Sequence, residues 1–240
     1  QSIHKLEVKL SSRFNVKNFL MLKNIQSVNA SNVYRLSDLN NKFTGQTALI
    51  IAAGPSLNEN IEFIKANRHK FVIIAVNRVV RTLLANGIIP DFVACLDAVS
   101  IGGTLAGLES DLPKMNCIMD LKTEPAPLCS NFKKVFMSFS TNDFIVKKLC
   151  EYNQGIMPME CGGSATTLAF VSAVKMGFAK VVFTGLDLAF KGDVVFASGE
   201  TVQKVSETKM AIDSTEKTLT NVPSVSSSYS AVSSLYEYFL

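Results

Sequence analysis

The chain has 240 residues, of which 48% are hydrophobic and only 18% charged, enough for one large domain, or one domain plus an appendage, around a sizeable core. Its formal net charge of +4 is too small and too scattered for a nucleic-acid-binding surface, though it mildly favours an anionic small molecule. Five cysteines, with no CxxC pair and mostly inside apolar runs such as FVACLD and NCIMDL, argue against a zinc site or a disulfide framework and fit a reducing, cytoplasmic setting.

Residues 4–25 carry a helical spacing of apolar side chains, Leu6, Leu10, Phe14, Phe19, Leu20 and Leu22, and predict an amphipathic helix. An Asn- and Ser-rich connector follows. Neither stretch has the hydrophobic core of a signal peptide, and no apolar run reaches the roughly 20 residues that cross a bilayer, so no membrane association is expected. The chain starts without Met and stops inside the apolar pattern SSLYEYFL, which reads as a segment of a longer protein.

At residue 47 the pattern changes. TALIIAA (47–53), FVIIAV (71–76) and FVACL (92–96) are continuous apolar runs, the mark of strands covered on both faces. Helical stretches at 57–67 and 78–86 separate them, the second closed by Gly87 and Pro90. Shorter strands are predicted at 117–121 and 134–139, then a helix near 142–152. A small-residue helix at 163–176, capped by Gly177, leads into the strand KVVFT (180–184). Beyond Phe190 the chain is polar, with a possible hairpin in MAIDSTEKTLTNV and a final helix from about Ser228. The expected fold class is α/β: a Rossmann-like, doubly wound, mostly parallel sheet with flanking helices. The expected division is a helical segment and connector at 1–42, a nucleotide-binding core at 43–190 and a C-terminal extension at 191–240.

Chemistry is expected at the carboxyl ends of the strands. Gly54-Pro55-Ser56-Leu57 ends a buried strand and opens a helix. Gly54 permits a tight turn, Pro55 suits the first helical turn, and the free N–H groups with the helix dipole favour a phosphate. A plain βα turn would use the same residues. The loop matches neither GxGxxG nor a Walker A sequence. Asn77, directly after the second strand, is placed either to hold a base or ribose or to cap the next helix. Asp97 and Asp187 end strands on the same edge, where a carboxylate could bind metal or ribose, act as a base, or simply form a turn. Asp91 reads as a turn that opens a strand. The loop CGGSATT, with Gly163 and Ser164 at its centre, either cradles an anion or lets its helix pack closely. Thr184 and Gly185, at the end of the late strand, join the nucleotide-binding set. His4 and His69 lie away from this edge, so a Ser-His-Asp triad is excluded.

Three blocks in this order, ALIIAAGPSLNENIEFIK, FVIIAVNRVVRTLLANGIIPDFVACLD and GGSATTLAFVSAVKMGFAKVVFTGLDLAF, resemble the central domain of the motility accessory factor (Maf) family over residues 43–190. That resemblance implies a glycosyltransferase moving a nonulosonic acid, such as pseudaminic or legionaminic acid, from CMP to Ser or Thr of flagellin. A more distant resemblance, to bacterial sialyltransferases using CMP-sialic acid, implies a CMP pocket of Gly54, Pro55, Ser56, Asn77, Gly163 and Ser164. Their loop begins with Asn where Ala53 stands here, and their late catalytic His has no counterpart. The chain also resembles the MptE-like hydroxymethylpterin pyrophosphokinases, which implies ATP and Mg²⁺ with Asp97 and Asp187 as metal candidates. A non-catalytic, flagellin-binding chaperone module is a further alternative.

Overall fold

A computed structural model describes residues 32–96, 101–123, 131–139, 158–160 and 163–187, with Met21, Asn24, Val146, Lys148, Glu151, 189–190, 194, 196–197, 220–222 and 232–234. Seven strands form one sheet: β1 (Val33–Arg35), β2 (Thr47–Ile51), β3 (Val72–Val76), β4 (Phe92–Cys95), β5 (Asn116–Asp120), β6 (Lys134–Ser138) and β7 (Lys180–Thr184). Their order is β1-β6-β5-β4-β3-β2-β7, and every neighbouring pair is parallel. The helices are α1 (Leu57–Asn67), α2 (Val80–Ala85), α3 (Ile101–Leu105) and α4 (Ala165–Met176). The predicted doubly wound α/β sheet is the fold observed.

The continuous apolar strands follow from burial on both faces, because successive side chains point to opposite sides. Ala48, Ile50, Ile74, Phe92, Ala94 and Ile118 meet Leu168, Ala169, Ala173 and Met176 of α4. The alternate residues Leu49, Ile51, Ile73 and Ala75 meet Leu57, Ile61, Ile64 and Leu83 of α1 and α2 on the opposite face. Val93, Cys95, Cys117 and Met119 continue that second face against Leu105, Leu108 and Leu112. Each fully buried Ile or Leu contributes about 1.5–3 kcal/mol. Cys95 and Cys117 are buried thiols and behave as the small hydrophobes expected of them.

From β2 to β6 the chain moves steadily outward, with α1, α2 and α3 on one face. It then returns across the other face through α4 to lay β7 on the far side of β2. The strand order therefore reverses between β2 and β7, and this is the topological switch point of the sheet. Helix α4 runs antiparallel to the strands. Its carboxyl end is tied to the segment before β2 by Phe43 N–H on the Met176 carbonyl at 3.0 Å, and Gly177 closes it at φ 82°. Its amino end therefore lies on the same sheet edge as the loops after β2 and β7.

Several expectations shift. Val33–Arg35, inside the polar connector, forms the edge strand β1 beside β6; at three residues it is too short to leave a periodic signal. The helix expected from residue 78 begins as a 3-10 turn over Asn77–Val79 before α2. The final helix expected from about Ser228 is contradicted: Val232–Ser234 is a strand, β10, antiparallel to β9 (Thr220–Val222) and to β8 (Ala189–Phe190). Ser and Val are weak helix formers, and Val suits a pleated strand. The hairpin expected at 210–222 is described only at β9, whose partner is β10; its remainder lies outside the described residues. Of the N-terminal helix only Met21 and Asn24 are described, both helical. Met21 packs on Leu121, Met137 and Phe139, while Asn24 Nδ2 donates to the Leu121 and Thr123 carbonyls at 2.6 and 2.7 Å. Of the helix expected near 142–152, Val146, Lys148 and Glu151 are described, all helical.

Candidate functional site

The loops that follow β2 and β7 are joined backbone to backbone. Ala52 N–H donates to the Thr184 carbonyl at 2.9 Å, and Gly54 N–H donates to the Gly185 carbonyl at 2.7 Å. Gly54 is required by this approach, since a Cβ there would stand 2.6 Å from the Gly185 oxygen and collide with the Asp187 carboxylate. Gly185 lies at φ +70°, and a Cβ there would collide with the Ala52 carbonyl, so a side chain is excluded there too. Pro55 is buried, and Leu57 anchors the first turn of α1 in the core.

The N–H groups at the start of α1 are the expected phosphate donors. Those of Leu57, Asn58 and Glu59 turn back onto the carbonyls of Gly54, Pro55 and Ser56 at 3.1–3.2 Å. The N–H of Ser56 donates to Asp187 Oδ2 at 2.8 Å. A carboxylate of the chain itself thus sits at the positive end of α1, where an anion gains about 0.3–1 kcal/mol from the dipole. Asp187 reaches the predicted edge as a clamp between the two loops. Thr184 Oγ1, one residue before Gly185, is buried and makes no hydrogen bond among the described residues.

Asn77 also reaches this edge, but its amide is buried and Nδ2 donates to Thr104 Oγ1 of α3 at 3.0 Å. The capping role is not observed, for neither the 3-10 turn nor α2 has a side-chain cap. At α4, Ser164 Oγ accepts the Thr167 N–H at 3.1 Å and Thr167 Oγ1 accepts the Ser164 N–H at 3.2 Å, a reciprocal capping box. Gly163 is exposed, and a Cβ there would meet nothing within 4 Å. Asp97, Cys161 and Gly162 lie outside the described residues. Asp91 makes the expected turn, its Oδ2 accepting from Ile73 N–H at 2.7 Å and from Arg68 at 2.8 Å before β4 begins. His69 lies between α1 and β3, on the edge opposite the site.

Sequence reasoning missed three residues on the carboxyl edge. Asp120, at the end of β5, is 1% exposed and accepts from Lys122 N–H at 3.1 Å and Ser138 Oγ at 3.4 Å, with Lys122 Nζ at 4.0 Å. It was hidden because NCIMDL carries only a strand signal. Arg78 lies over the ring of Phe196 at 4.2 Å, and the neighbouring Ala197 N–H donates to the Ala53 carbonyl at 2.9 Å. Nothing in the polar stretch after Phe190 signals that return to the Gly54 loop. Among the described residues no group of three His, Cys, Asp or Glu is placed to hold a metal ion, and no helix is long and apolar enough to cross a membrane.

No curated protein matches the sequence. The fold is similar to that of a solved MAf glycosyltransferase from Magnetospirillum magneticum AMB-1, with a TM-score of 0.60 and 22% sequence identity. The likeness covers 83% of this chain and 31% of that one, so the chain spans about a third of that protein's length. At this identity the likeness is one of fold. Residues 20–193 match the family described as 6-hydroxymethylpterin diphosphokinase MptE-like. On that match, which spans well over half of its residues, the chain belongs to the MptE-like family.

Proposed function

We propose that the protein is a nucleotide-dependent transferase, and specifically a glycosyltransferase that passes a nonulosonic acid from CMP to Ser or Thr of flagellin in the cytoplasm. The observation that carries this reading is the pair of loops joined at the switch point, in a fold shared over 83% of the chain with a MAf glycosyltransferase. In it, Gly54, Pro55, Ser56 and Leu57 face the CMP phosphate from the amino end of α1. Gly163 and Ser164 face it from the amino end of α4, with Thr184 and Gly185 between them and Asn77 at the base side. The acceptor hydroxyl oxygen attacks the anomeric carbon as the bond from that carbon to the phosphate oxygen breaks. CMP leaves with the bonding pair, its charge held by the helix ends. Asp97, two residues past β4 in the sequence, takes the hydroxyl proton in this reading. Asp187 is the other carboxylate expected as a base; its bond to Ser56 N–H supports a role in holding the loop.

A second reading is favoured by the description of the matching family: diphosphate transfer from ATP to a hydroxymethylpterin. Magnesium would bind there through Asp97 and the Asp187 oxygen that does not face Ser56. Among the described residues no three His, Cys, Asp or Glu side chains converge on a metal position. Calorimetry with CMP and with ATP–Mg²⁺ separates the readings. Saturable CMP binding supports the glycosyltransferase. ATP–Mg²⁺ binding without CMP binding overturns it in favour of the diphosphokinase, and binding of neither leaves a non-catalytic flagellin-binding module.

A further inference from the structure

The segment at 196–197 returns to the carboxyl edge of the sheet and is pinned there. Ala197 is 7% exposed, packs among Ile51, Leu57 and Val79, and its N–H is held by the carbonyl of Ala53, the residue before Gly54. This fixes Phe196 one residue from the loop expected to meet a phosphate. Phe196 itself, a large apolar ring, is only partly buried. The Arg78 guanidinium, 4.2 Å from the ring centroid, covers one face and holds the ring in orientation. Arg78 comes from the carboxyl end of β3, next to Asn77, so the pair is built from two separate parts of the chain that meet on this edge.

We infer that Phe196, oriented by Arg78, is the stacking platform for the base of a bound nucleotide. The inference rests on the nucleotide-binding reading but not on the choice between CMP and ATP. An aromatic face accepts any base, and the ring adjoins Ala197, which is hydrogen-bonded to the residue before the Gly54 loop. One Asn77 Nδ2 hydrogen is engaged by Thr104 Oγ1, and stacking on Phe196 does not depend on that amide.

The chain contains no Trp, so Phe196→Trp installs a single indole fluorophore at the platform. CMP or ATP should quench it saturably, and ribose 5-phosphate, which has no base, should not. Phe196→Leu keeps apolar bulk but removes the π face; it should weaken nucleotide binding about tenfold or more in calorimetry, on the scale of one base–aromatic stack, and leave ribose 5-phosphate unchanged. Phe196→Trp should retain affinity. Nucleotide binding of equal strength to wild type and Phe196→Leu, or an indole blind to a nucleotide that calorimetry shows bound, overturns the platform alone. Failure of wild type to bind either nucleotide overturns the nucleotide reading and the platform with it.

Discussion

Gly54→Ala tests the contact between the loops after β2 and β7 directly. The added Cβ would lie 2.6 Å from the Gly185 carbonyl oxygen and 2.8 Å from Asp187 Cγ, with Asp187 Oδ2 nearer still. Non-bonded heavy atoms prefer about 3.5–4 Å, so something has to move. The Asp187 side chain can rotate away, but Ser56 N–H then loses its charged acceptor. The Gly185 carbonyl cannot: it accepts Gly54 N–H at 2.7 Å, and Gly185 is itself wedged against the Ala52 carbonyl. Relief therefore requires the loops to part. Overpacking costs about 1–3 kcal/mol, and each hydrogen bond given up adds about 1 kcal/mol. Together these come to about 3 kcal/mol, a fall in Tm of about 6–12 °C for a chain of this size. Thermal unfolding followed by circular dichroism measures it. Gly163→Ala is the control, because its Cβ meets nothing within 4 Å; its stability should stay within about 0.5 kcal/mol of wild type. If Gly54→Ala unfolds within a degree or two of the control, the loops are not packed as described and the switch-point site falls.

Asp187→Asn keeps an acceptor for Ser56 N–H but removes the charge at the α1 terminus. Stability should fall by about 1 kcal/mol, and CMP should bind several-fold more tightly in calorimetry, because the carboxylate no longer competes for that terminus. Weaker binding would instead make Asp187 a ligand-holding group. Ser164→Ala removes the acceptor of Thr167 N–H and should cost about 1 kcal/mol in chemical denaturation. Ile50→Ala, at a fully buried position between the sheet and α4, should cost about 2–5 kcal/mol in the same assay. The exposed Glu109 carboxylate accepts Gly107 N–H at 2.9 Å, which holds its pKa below the ordinary value of 4.5. A group depressed in the folded state stabilises above its unfolded pKa and loses that contribution as pH falls through the folded one. Glu109→Gln should therefore flatten the acid side of the stability–pH curve slightly, and denaturation midpoints across pH 3–6 would register it.

The sheet was legible because ALII, VIIAV and FVAC are apolar at every position, a pattern that two covered faces explain. Gly177 was legible for a local reason as well, since a helix closing at positive φ favours glycine. The site was legible in place but not in partnership. Asp187 meets Ser56 across 131 residues of sequence, and that contact exists only because α4 returns β7 to the side of β2. Asn77 could be set on the right edge from its position after β3, yet the partner that takes its amide, Thr104, lies on a five-residue helix too short to announce itself. Ser164 was read as a ligand group or as part of a packing loop. Its hydroxyl serves the helix instead, with Thr167 standing in the place that Glu or Gln usually fills in a capping box.

The clamp between Ser56 and Asp187 limits how the site can gain affinity. A phosphate that takes the α1 terminus replaces a carboxylate already there, so only the difference between two charge-assisted bonds accrues to binding. The α4 terminus adds less than its loop promises, because the Ser164 N–H and hydroxyl are already engaged in the cap. Affinity for a nucleotide must then come largely from its other parts, the base and the transferred group. Among the described residues, the side chains on this edge beyond the loop include Phe196 over Arg78, one residue from the Ala53 hydrogen bond, and the Asp120–Lys122 pair at the end of β5. Arg78 follows β3 and Asp120 ends β5, roughly two strand spacings, or about 10 Å, away across the sheet. A nucleotide joined to a second group is long enough to touch both regions, whereas a free phosphate reaches neither. On the proposed nucleotide reading, inorganic phosphate should therefore bind weakly and the whole nucleotide donor much more tightly.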